Sequence, residues 1–372
     1  MNIIGIETSC DETAAAVVRD GREVLSNVVY TQIPLHQPYG GVVPEIASRA
    51  HVEKISQVVG DALAGAGGKV DAVAVTYGPG LSPALIVGLN AAKGLAKALG
   101  VPLVAINHIE AHLHTPFLYD SGETPKAPAP EDSCPALGLA VSGGNTVWID
   151  MPEYGRYEVI GETLDDAAGE AFDKAAKLLG LGYPGGLKID RISAAYRERG
   201  ASAALIPFPK GRPRDGVTAL AGLPAELCVS FSGLKTALLR HVQQNPDLLS
   251  PEAAKEDFGG YMVSPAVARV VASYQEAIAQ AVADRTRAAL RRRDYRALVL
   301  GGGVSLNSRI RAVLGEVCAA AHVPLLMAKP KYTGDNGAMI AGLAYYRRNL
   351  VGAAAMSADA SPSLQVGDGS QG

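Results

Sequence analysis

The chain has 372 residues, of which 48% are hydrophobic and 19% charged, and its formal net charge is −3. This composition predicts a globular protein of two lobes, and it excludes an overall basic surface, a disulfide framework built on the four distant cysteines, and a membrane-spanning helix. No basic segment precedes the acidic residue Glu7, so the amino terminus is unlike a signal peptide and we expect a cytoplasmic protein.

The start of the chain predicts three strands and a polar turn. Residues 3–6 and 14–18 are short apolar runs, and Asp20-Gly21 is a hairpin signal before a third strand. The turn at 7–13 carries carboxylates and hydroxyls. Such a turn opens the nucleotide-binding lobe of actin, Hsp70 and sugar kinases, where its donors contact phosphate. An ordinary hairpin loop that satisfies its own backbone is the alternative.

A glycine-rich turn joins a strand ending at Thr76 to a helix beginning near Ala84. Amides at a helix start lack partners, so this turn, Tyr77–Pro83, is a potential anion site. It is not a Walker A loop, because no Gly-Lys-Ser/Thr sequence closes it.

Two histidines four residues apart follow the predicted strand 101–106. If His108 and His112 lie on a helix, their imidazoles project from one face one turn apart, as a divalent metal site requires. In a zinc peptidase a Glu directly follows the first His, but here Ile109 stands there and Glu110 lies about 200° round the helix. A peptidase would therefore lack its general base, whereas a metal site and a chance histidine pair both stay open.

The opening pattern returns after a polar linker at 121–133. Residues 135–149 again predict an apolar strand, a Gly/Ser/Thr turn and a second strand. Two copies of this unit, each leading one lobe, predict a nucleotide held in the cleft between the lobes.

The remaining segments predict a long helix, a loop and a tail. Residues 251–293 are helical in pattern and end in three arginines, which either contact phosphates or stabilise the helix end. Residues 210–227 contain Pro and Gly and predict a surface loop. Residues 351–372 have little to bury, so we expect a disordered tail.

Motifs spread over roughly residues 1–347 resemble the tRNA N6-adenosine threonylcarbamoyltransferase family. They are the stretches Gly5–Thr13, Gly41–Arg49, Asn107–His112, Val141–Gly144, Gly169–Lys174, Tyr183–Gly186, Ser230–Thr236, Gly301–Asn307 and Asp335–Ile340. The resemblance implies an α/β fold of the two-lobed, actin-like ATPase type, with duplicated mixed sheets, flanking helices and a central nucleotide cleft. It implies a first lobe at 1–128, on which a helix at 335–350 packs, and a second lobe at 129–334.

The resemblance also implies a metal bound by His108, His112 and Asp335. A carboxylate from a distant loop completes a two-His, one-carboxylate set with open positions, which suits Fe(2+), the favoured metal, and also Zn(2+). The residues implied to line a threonylcarbamoyl-adenylate site are Ala140, Val141, Ser142, Gly143, Gly144, Asp173, Gly186, Asp190 and Asn307.

Two features of that implied site make physical sense. Backbone amides at Gly143 and Gly144 can approach phosphate without a Cβ in the way. Asp173 can accept hydrogen bonds from ribose hydroxyls, although a helix salt bridge with Lys177 is the alternative.

The implied reaction transfers the threonylcarbamoyl group from its adenylate to N6 of the adenosine 3′ to the anticodon, in tRNAs reading ANN codons, and releases AMP. Asp11 is the candidate base for the attacking amine, and Glu12 is the reserve. Implied partners are tRNA, a smaller paralogous subunit of the same fold and a small P-loop ATPase, with no membrane. An ATPase or small-molecule kinase of the same fold is the alternative, and a metallopeptidase or a noncatalytic scaffold is more remote.

Overall fold

Two mixed sheets form the cores of two lobes. In the computed structural model, which describes residues 1–200, 204–213, 222–347 and 352–367, the first sheet has the order β5-β4-β1-β2-β3-β6. Its strands are β1 (Asn2–Glu7), β2 (Glu12–Arg19), β3 (Glu23–Thr31), β4 (Ala72–Gly78), β5 (Leu103–Asn107) and β6 (Tyr119–Asp120). β1, β2 and β3 pair antiparallel, whereas β4 pairs parallel with β1 and β5 parallel with β4.

The second sheet repeats this pattern in the order β13-β12-β7-β8-β9. Its strands are β7 (Ala136–Val141), β8 (Thr146–Met151), β9 (Glu158–Glu162), β12 (Ala297–Gly301) and β13 (Leu325–Met327). β7, β8 and β9 pair antiparallel, and β12 and β13 are added in parallel. The predicted duplication of mixed α/β sheets is therefore confirmed.

Helices flank both sheets. They are α1 (Ile33–His36), α2 (Pro44–Gly65), α3 (Ser82–Leu99), α4 (His108–His114), α5 (Ala168–Leu178), α6 (Gly186–Glu198), α7 (Ser232–Gln244), α8 (Pro265–Leu290), α9 (Ser308–Ala321), α10 (Gly337–Tyr346) and α11 (Ala353–Ser357). Because side chains alternate along a strand, Ile4 of β1 packs with α2 and α3, whereas Ile3 packs with α10 on the other face. Residues of α5 to α9 share one core cluster with β7.

The short helix α4 lies between the two lobes. Its Ile109 and Leu113 belong to the cluster on the second sheet, whereas Ala111 belongs to a cluster of the first. A Cβ at Gly301, the last residue of β12, would come within 2.3 Å of the His112 carbonyl oxygen. The glycine therefore allows α4 to approach the second sheet closely.

Two glycines allow helix α10 to pack closely on β1 and β2. A Cβ at Gly5 would lie 2.4 Å from Ala341 N, and one at Gly337 would lie 2.4 Å from Ala16 N. Since side chains at these positions would push the helix outwards, the close packing brings Asp335, which precedes the helix, to the carboxyl end of β1.

The described carboxyl-terminal residues, 352–367, form a strap on the first lobe. Gly352 N donates to Leu103 O at 3.1 Å, Ser361 N donates to Tyr77 O at 2.7 Å, and Ala355 is fully buried. The described part of this segment thus differs from the disordered tail expected for 351–372, because backbone hydrogen bonds and small side chains hold it. Residues 351 and 368–372 lie outside the described residues.

Two other sequence expectations need adjustment. Part of the predicted helix over 251–293 is instead a hairpin of β10 (Glu256–Phe258) and β11 (Tyr261–Val263), and Ser264 caps the start of α8 through its hydroxyl. Of the predicted surface loop at 210–227, the structure describes 210–213 and 222–227.

Candidate metal centre and interlobe cleft

Helix α4 is started by Asn107, the last residue of β5. Its side-chain oxygen accepts from Ile109 N at 2.9 Å and from Glu110 N at 3.3 Å, which satisfies amides that have no partner within the helix. The predicted helical spacing is confirmed, and the rings of His108 and His112 lie with their centroids 4.6 Å apart. Both histidines are buried.

Asp335 joins the two histidines from the far end of the chain. Its Oδ1 lies 3.1 Å from His112 Nε2 and 3.6 Å from His108 Nε2. The next residue, Asn336, caps α10 by accepting from Met339 N at 3.1 Å, so Asp335 sits on a rigid helix start. One ligand atom from each of the three residues lies within 4.8 Å of the others.

The donor set fits a divalent metal. Both ring nitrogens of His112 are buried without a hydrogen-bond partner, and the approach of Nε2 to Asp335 is not a hydrogen-bonding geometry. A buried imidazole without partners is costly unless a ligand satisfies it. Two imidazoles and one carboxylate are the ligand types of non-haem iron and of zinc, so His108, His112 and Asp335 could hold either ion.

Glu7 supports the first histidine from behind. Its Oε2 lies 3.1 Å from His108 Nδ1, its Oε1 accepts from Ser9 N, and the Thr76 hydroxyl donates to it as well. The Ser9 hydroxyl also lies 3.1 Å from His108 Nδ1. With Nδ1 held by these groups, Nε2 is the nitrogen that faces Asp335, the usual arrangement behind a metal-binding histidine.

The charges in this cluster are strongly coupled. Burial opposes a charge on His108, yet the carboxylates of Asp335 and Glu7 raise its pKa to about 9. Burial also opposes a charge on Asp335, but the histidines lower its pKa to about 2. The site therefore contains two carboxylates that nearby positive charge stabilises, and a bound metal ion would provide such a charge.

The other polar residues of α4 have structural partners. Burial lowers the pKa of His114 to about 4, and its Nε2 lies 2.6 Å from the Gly21 carbonyl, so it is a neutral core residue. Glu110 forms an ion pair with Arg347 and accepts from Gly367 N at 2.9 Å. The carboxylate that a peptidase would need as its base is therefore engaged elsewhere.

The C-terminal strap supports the metal helix from outside. The Asn107 side chain donates to Gln365 O at 2.9 Å, and Gly367 reaches Glu110 on the same helix. Gly80 N donates to Pro362 O and Leu81 N donates to Ser9 O. The turn that the sequence offered as an anion site thus uses these two amides to join the strap to the Ser9 segment.

On the second lobe, the loop after β7 is open on one side. Ala140 and Val141 are buried in the strand, Ser142 N donates to Asn145 O, and nothing lies within 4 Å of a Cβ added at Gly143 or Gly144. A Cβ at Gly169 would meet Gly143 Cα at 2.7 Å, so this loop rests on the start of α5. Its open side can accept an anionic ligand.

Asp173 and Gly186 meet at the start of α6. Asp173 Oδ1 accepts from Gly185 N at 2.7 Å and takes part in a hydrogen bond with the Gly186 amide. Burial raises the pKa of Asp173 despite these amides. Asp173 thus caps α6, whereas no ion pair with Lys177 is seen among the described residues.

Asp190 and Asn307 meet through a residue that the sequence did not single out, Gln275. The Gln275 amide donates to Asp190 Oδ1 at 2.6 Å and to Asn307 Oδ1 at 3.2 Å. Asn307 also caps α9, and Asp190 accepts from Ser308 N at 3.0 Å. The structure therefore brings Asp190 and Asn307 together through Gln275, and it gives each of them a structural contact.

The turn with Asp11 and Glu12 faces the second lobe. Burial raises the pKa of Tyr183, and the nearby charge of Asp11 raises it further. Burial and the charge of Asp11 also raise the pKa of Asp173. Burial and the same charge raise the pKa of Glu12 well above its usual value. Gln37, which follows β3 in the first lobe, donates from Nε2 to Tyr183 O at 3.2 Å, so the two lobes are in contact at Tyr183.

Glu7, Ser9 and Gln275 are the site residues that sequence reasoning missed. The available signal for Glu7 was a carboxylate at the carboxyl end of an apolar strand, where α/β folds place functional groups. Gln275 stands within a mostly apolar helical stretch, and its full burial is the property that marks it.

Comparison with known proteins places this chain near one group. The family model for tRNA N6-adenosine threonylcarbamoyltransferase matches residues 23–342. Proteins named tRNA N6-adenosine threonylcarbamoyltransferase are 45% identical in Geobacter sp. (strain M21), over 92% of this chain and 90% of that protein, and 42% identical in Clostridium perfringens, over 98% of both. A solved structure, component A of (R)-2-hydroxyglutaryl-CoA dehydratase from Acidaminococcus fermentans, aligns with a TM-score of 0.49 at 12% identity, covering 93% of this chain and 98% of that one.

Proposed function

The chain belongs to the tRNA N6-adenosine threonylcarbamoyltransferase family, and from this premise we propose how its residues carry out the reaction. It is a transferase that places a threonylcarbamoyl group on N6 of an adenosine in tRNA. The proposed donor is threonylcarbamoyl-adenylate, and the proposed acceptor is the adenosine 3′ to the anticodon in tRNAs reading ANN codons. The convergence of His108, His112 and Asp335, with both ring nitrogens of His112 buried and without hydrogen bonds, is the observation that supports a metal-dependent enzyme most strongly.

His108, His112 and Asp335 would hold one divalent metal, with Fe(2+) favoured and Zn(2+) possible. When bound, such an ion supplies Lewis-acid polarisation and an anchor for oxygen atoms of the substrate. Glu7 keeps the His108 ring in position through Nδ1, so that Nε2 is free for the ion.

The second lobe would hold the adenylate. The open loop at Ser142, Gly143 and Gly144, which follows Ala140 and Val141, offers its amides to the phosphate. Asp173, which accepts from Gly185 N beside Gly186, would also accept from ribose hydroxyls of the adenylate. Asp190 and Asn307 would contact the nucleoside through side-chain atoms that do not hydrogen-bond to the start of α9.

The chemical step needs one proton acceptor. The N6 lone pair forms a C–N bond to the carbamoyl carbon, the bond from that carbon to the phosphate oxygen breaks, and AMP leaves with the electron pair. One N6 proton passes to a carboxylate, for which Asp11 is the first candidate and Glu12 the second. Burial and the charge of Asp11 raise the pKa of Glu12, so its ionised carboxylate is a stronger base than an exposed one. Because the adenylate is already activated, positioning of the two substrates carries most of the remaining work.

We expect the enzyme to act in the cytoplasm with a smaller paralogous subunit of the same fold and a small P-loop ATPase. Among the described residues, no helix is long and apolar enough to cross a membrane. Membership of a family that acts on tRNA supports tRNA as the acceptor.

The test is a transfer assay. The purified protein, alone and with candidate subunits, is incubated with synthetic threonylcarbamoyl-adenylate and unmodified tRNA, and the digested RNA is analysed for the modified nucleoside by mass spectrometry. We expect product that depends on the added metal. Steady ATP hydrolysis without product under all conditions would instead favour the kinase or ATPase alternative.

Two variants separate the candidate bases. Asp11→Asn and Glu12→Gln remove one carboxylate each and keep its shape, so the true base loses turnover while adenylate binding stays near wild type. Wild-type turnover in Asp11→Asn would transfer the role to Glu12.

A further inference from the structure

An arginine-lined groove runs along the side of the second lobe. Two adjoining cavities of about 480 and 520 Å³ share Arg212 and Pro213. Their described linings contain five arginines, which are Arg212, Arg240, Arg285, Arg287 and Arg291, and three acidic residues, which are Asp165, Glu226 and Asp284. The groove is therefore basic on a chain whose net charge is −3.

The acidic residues of the groove are mostly engaged. Asp165 accepts from Phe231 N at 2.7 Å and from the Ser232 hydroxyl at 2.6 Å, so it caps α7. Asp284 pairs with Arg287 at 2.5 Å. No described acidic residue pairs with Arg212, Arg240 or Arg291, and these three side chains are exposed. The uncompensated charge of the groove thus comes from these three arginines.

Strand directions show where the groove leads. β9 runs in the same direction as β7, because each is antiparallel to β8, and Thr163 after β9 pairs in parallel with Val229. Residues after Val229 therefore lie at the carboxyl-terminal end of β7 and β9, which is the end of the sheet that carries the Gly143 loop. Arg291 precedes β12, which is parallel to β7, so Arg291 lies at the opposite end of these strands. The groove therefore extends from the end of the second sheet that carries the Gly143 loop towards the opposite end.

The backbone that carries Arg212 is fixed in place. The buried guanidinium of Arg285 donates to Gly211 O at 2.7 Å, to Lys210 O at 3.2 Å and to Cys228 O at 2.9 Å. Ser230 N also donates to Gly211 O. Arg212 therefore projects into the groove from a pre-organised backbone, and little ordering is needed when a ligand binds.

From this geometry we propose that the groove of Arg212, Arg240 and Arg291 binds the phosphates of the tRNA substrate. The proposal rests on the proposed function, because it assumes that tRNA is the acceptor. Exposed arginines on a fixed scaffold suit a phosphate backbone, whose recognition is electrostatic and independent of sequence.

The test compares a neutralising variant with a charge-retaining one. The triple variant Arg212→Gln, Arg240→Gln, Arg291→Gln is measured beside the same three positions changed to Lys, and beside Arg156→Gln, an exposed arginine in the β8–β9 turn. Binding of unmodified tRNA is measured by filter binding at several salt concentrations, together with adenylate binding, KM and kcat.

We expect the Gln variant to bind tRNA at least about tenfold more weakly, with the slope of log K against log salt reduced by roughly 0.7–0.9 for each lost contact. KM for tRNA should rise while kcat and adenylate binding stay near wild type. The Lys variant and Arg156→Gln should retain both affinity and slope.

Equal affinity and slope in the Gln variant and the wild type would overturn the groove while leaving the transferase function intact. An equal loss of tRNA affinity in the Gln and Lys variants would also overturn the proposal, because binding would then not depend on the positive charge of these side chains. If the wild type binds tRNA through the groove but forms no product, the proposed function fails instead.

Discussion

The two halves of the cleft are built in different ways. On the first lobe, His112 has ring nitrogens without hydrogen bonds, and the histidines lower the pKa of Asp335 to about 2. On the second lobe, Asp173 and Asn307 are committed as helix caps. The first half therefore gathers groups that could hold a cation, whereas the polar groups of the second half are engaged in holding helix starts.

The largest expected effect is loss of the carboxylate ligand. Asp335→Ala should remove metal binding and reduce product formation by more than the roughly 100-fold typical of an outer-shell change, because two imidazoles alone hold a divalent ion poorly. Metal content by mass spectrometry and the transfer assay measure this, with the exposed Asp61→Ala as control. Full metal occupancy in Asp335→Ala would contradict the ligand set.

Removal of the charge behind His108 should have the next largest effect. Glu7→Gln keeps the side-chain shape but takes away the charge beside Nδ1, so metal affinity should fall about 10- to 100-fold. Ser9→Ala, which removes only a hydroxyl from the same nitrogen, should cost less. Isothermal titration with Zn(2+) ranks the three proteins, and an unchanged affinity in Glu7→Gln would show that the first half does not depend on this carboxylate.

Metal affinity should depend on pH in a defined direction. Because the pKa of His108 is raised to about 9, the metal-free site is protonated below that pH and binding must release this proton. Affinity should rise about tenfold per pH unit up to about pH 9 and then level off. Competition against a chelator at several pH values measures the slope, and a flat profile below pH 9 would refute the coupling.

A cap on the second lobe should affect folding as well as binding. Asn307→Ala removes the oxygen that accepts from Arg309 N and Ile310 N, so unfolding free energy should drop by about 1 kcal/mol and adenylate binding should weaken as well. Asn90→Ala on the exposed surface of α3 is the control. Weakened adenylate binding at unchanged stability would remove the contrast between the two halves.

The smallest effect is expected at the C-terminal strap. Ser361→Pro removes the amide that donates to Tyr77 O, whereas Ser361→Ala keeps it. Loosening the strap should lower metal affinity a few-fold, at most about tenfold, because it reaches the site only through Asn107, Glu110 and the Ser9 segment. Equal metal affinity in the two variants would show that the strap does not support the metal helix.

The local features of the chain follow from its amino-acid sequence alone. The spacing of His108 and His112 on one helix, the repeated strand–turn–strand units and the glycine loop at 143–144 follow from periodicity and turn residues that act over a few positions. The family motifs extended this to the two-lobed fold and to the identity of the reaction, which the comparisons bear out.

Which distant groups share a site depends instead on how the elements pack in three dimensions. Asp335 reaches the histidines because Gly5 and Gly337 let α10 pack closely on β1, a contact between residues more than 300 positions apart. Glu7 behind His108, Gln275 between Asp190 and Asn307, and the ordered strap likewise depend on side-chain direction and backbone hydrogen bonds across the fold. Composition and periodicity do not predict such contacts, because the contacts form only when elements far apart in the sequence pack together.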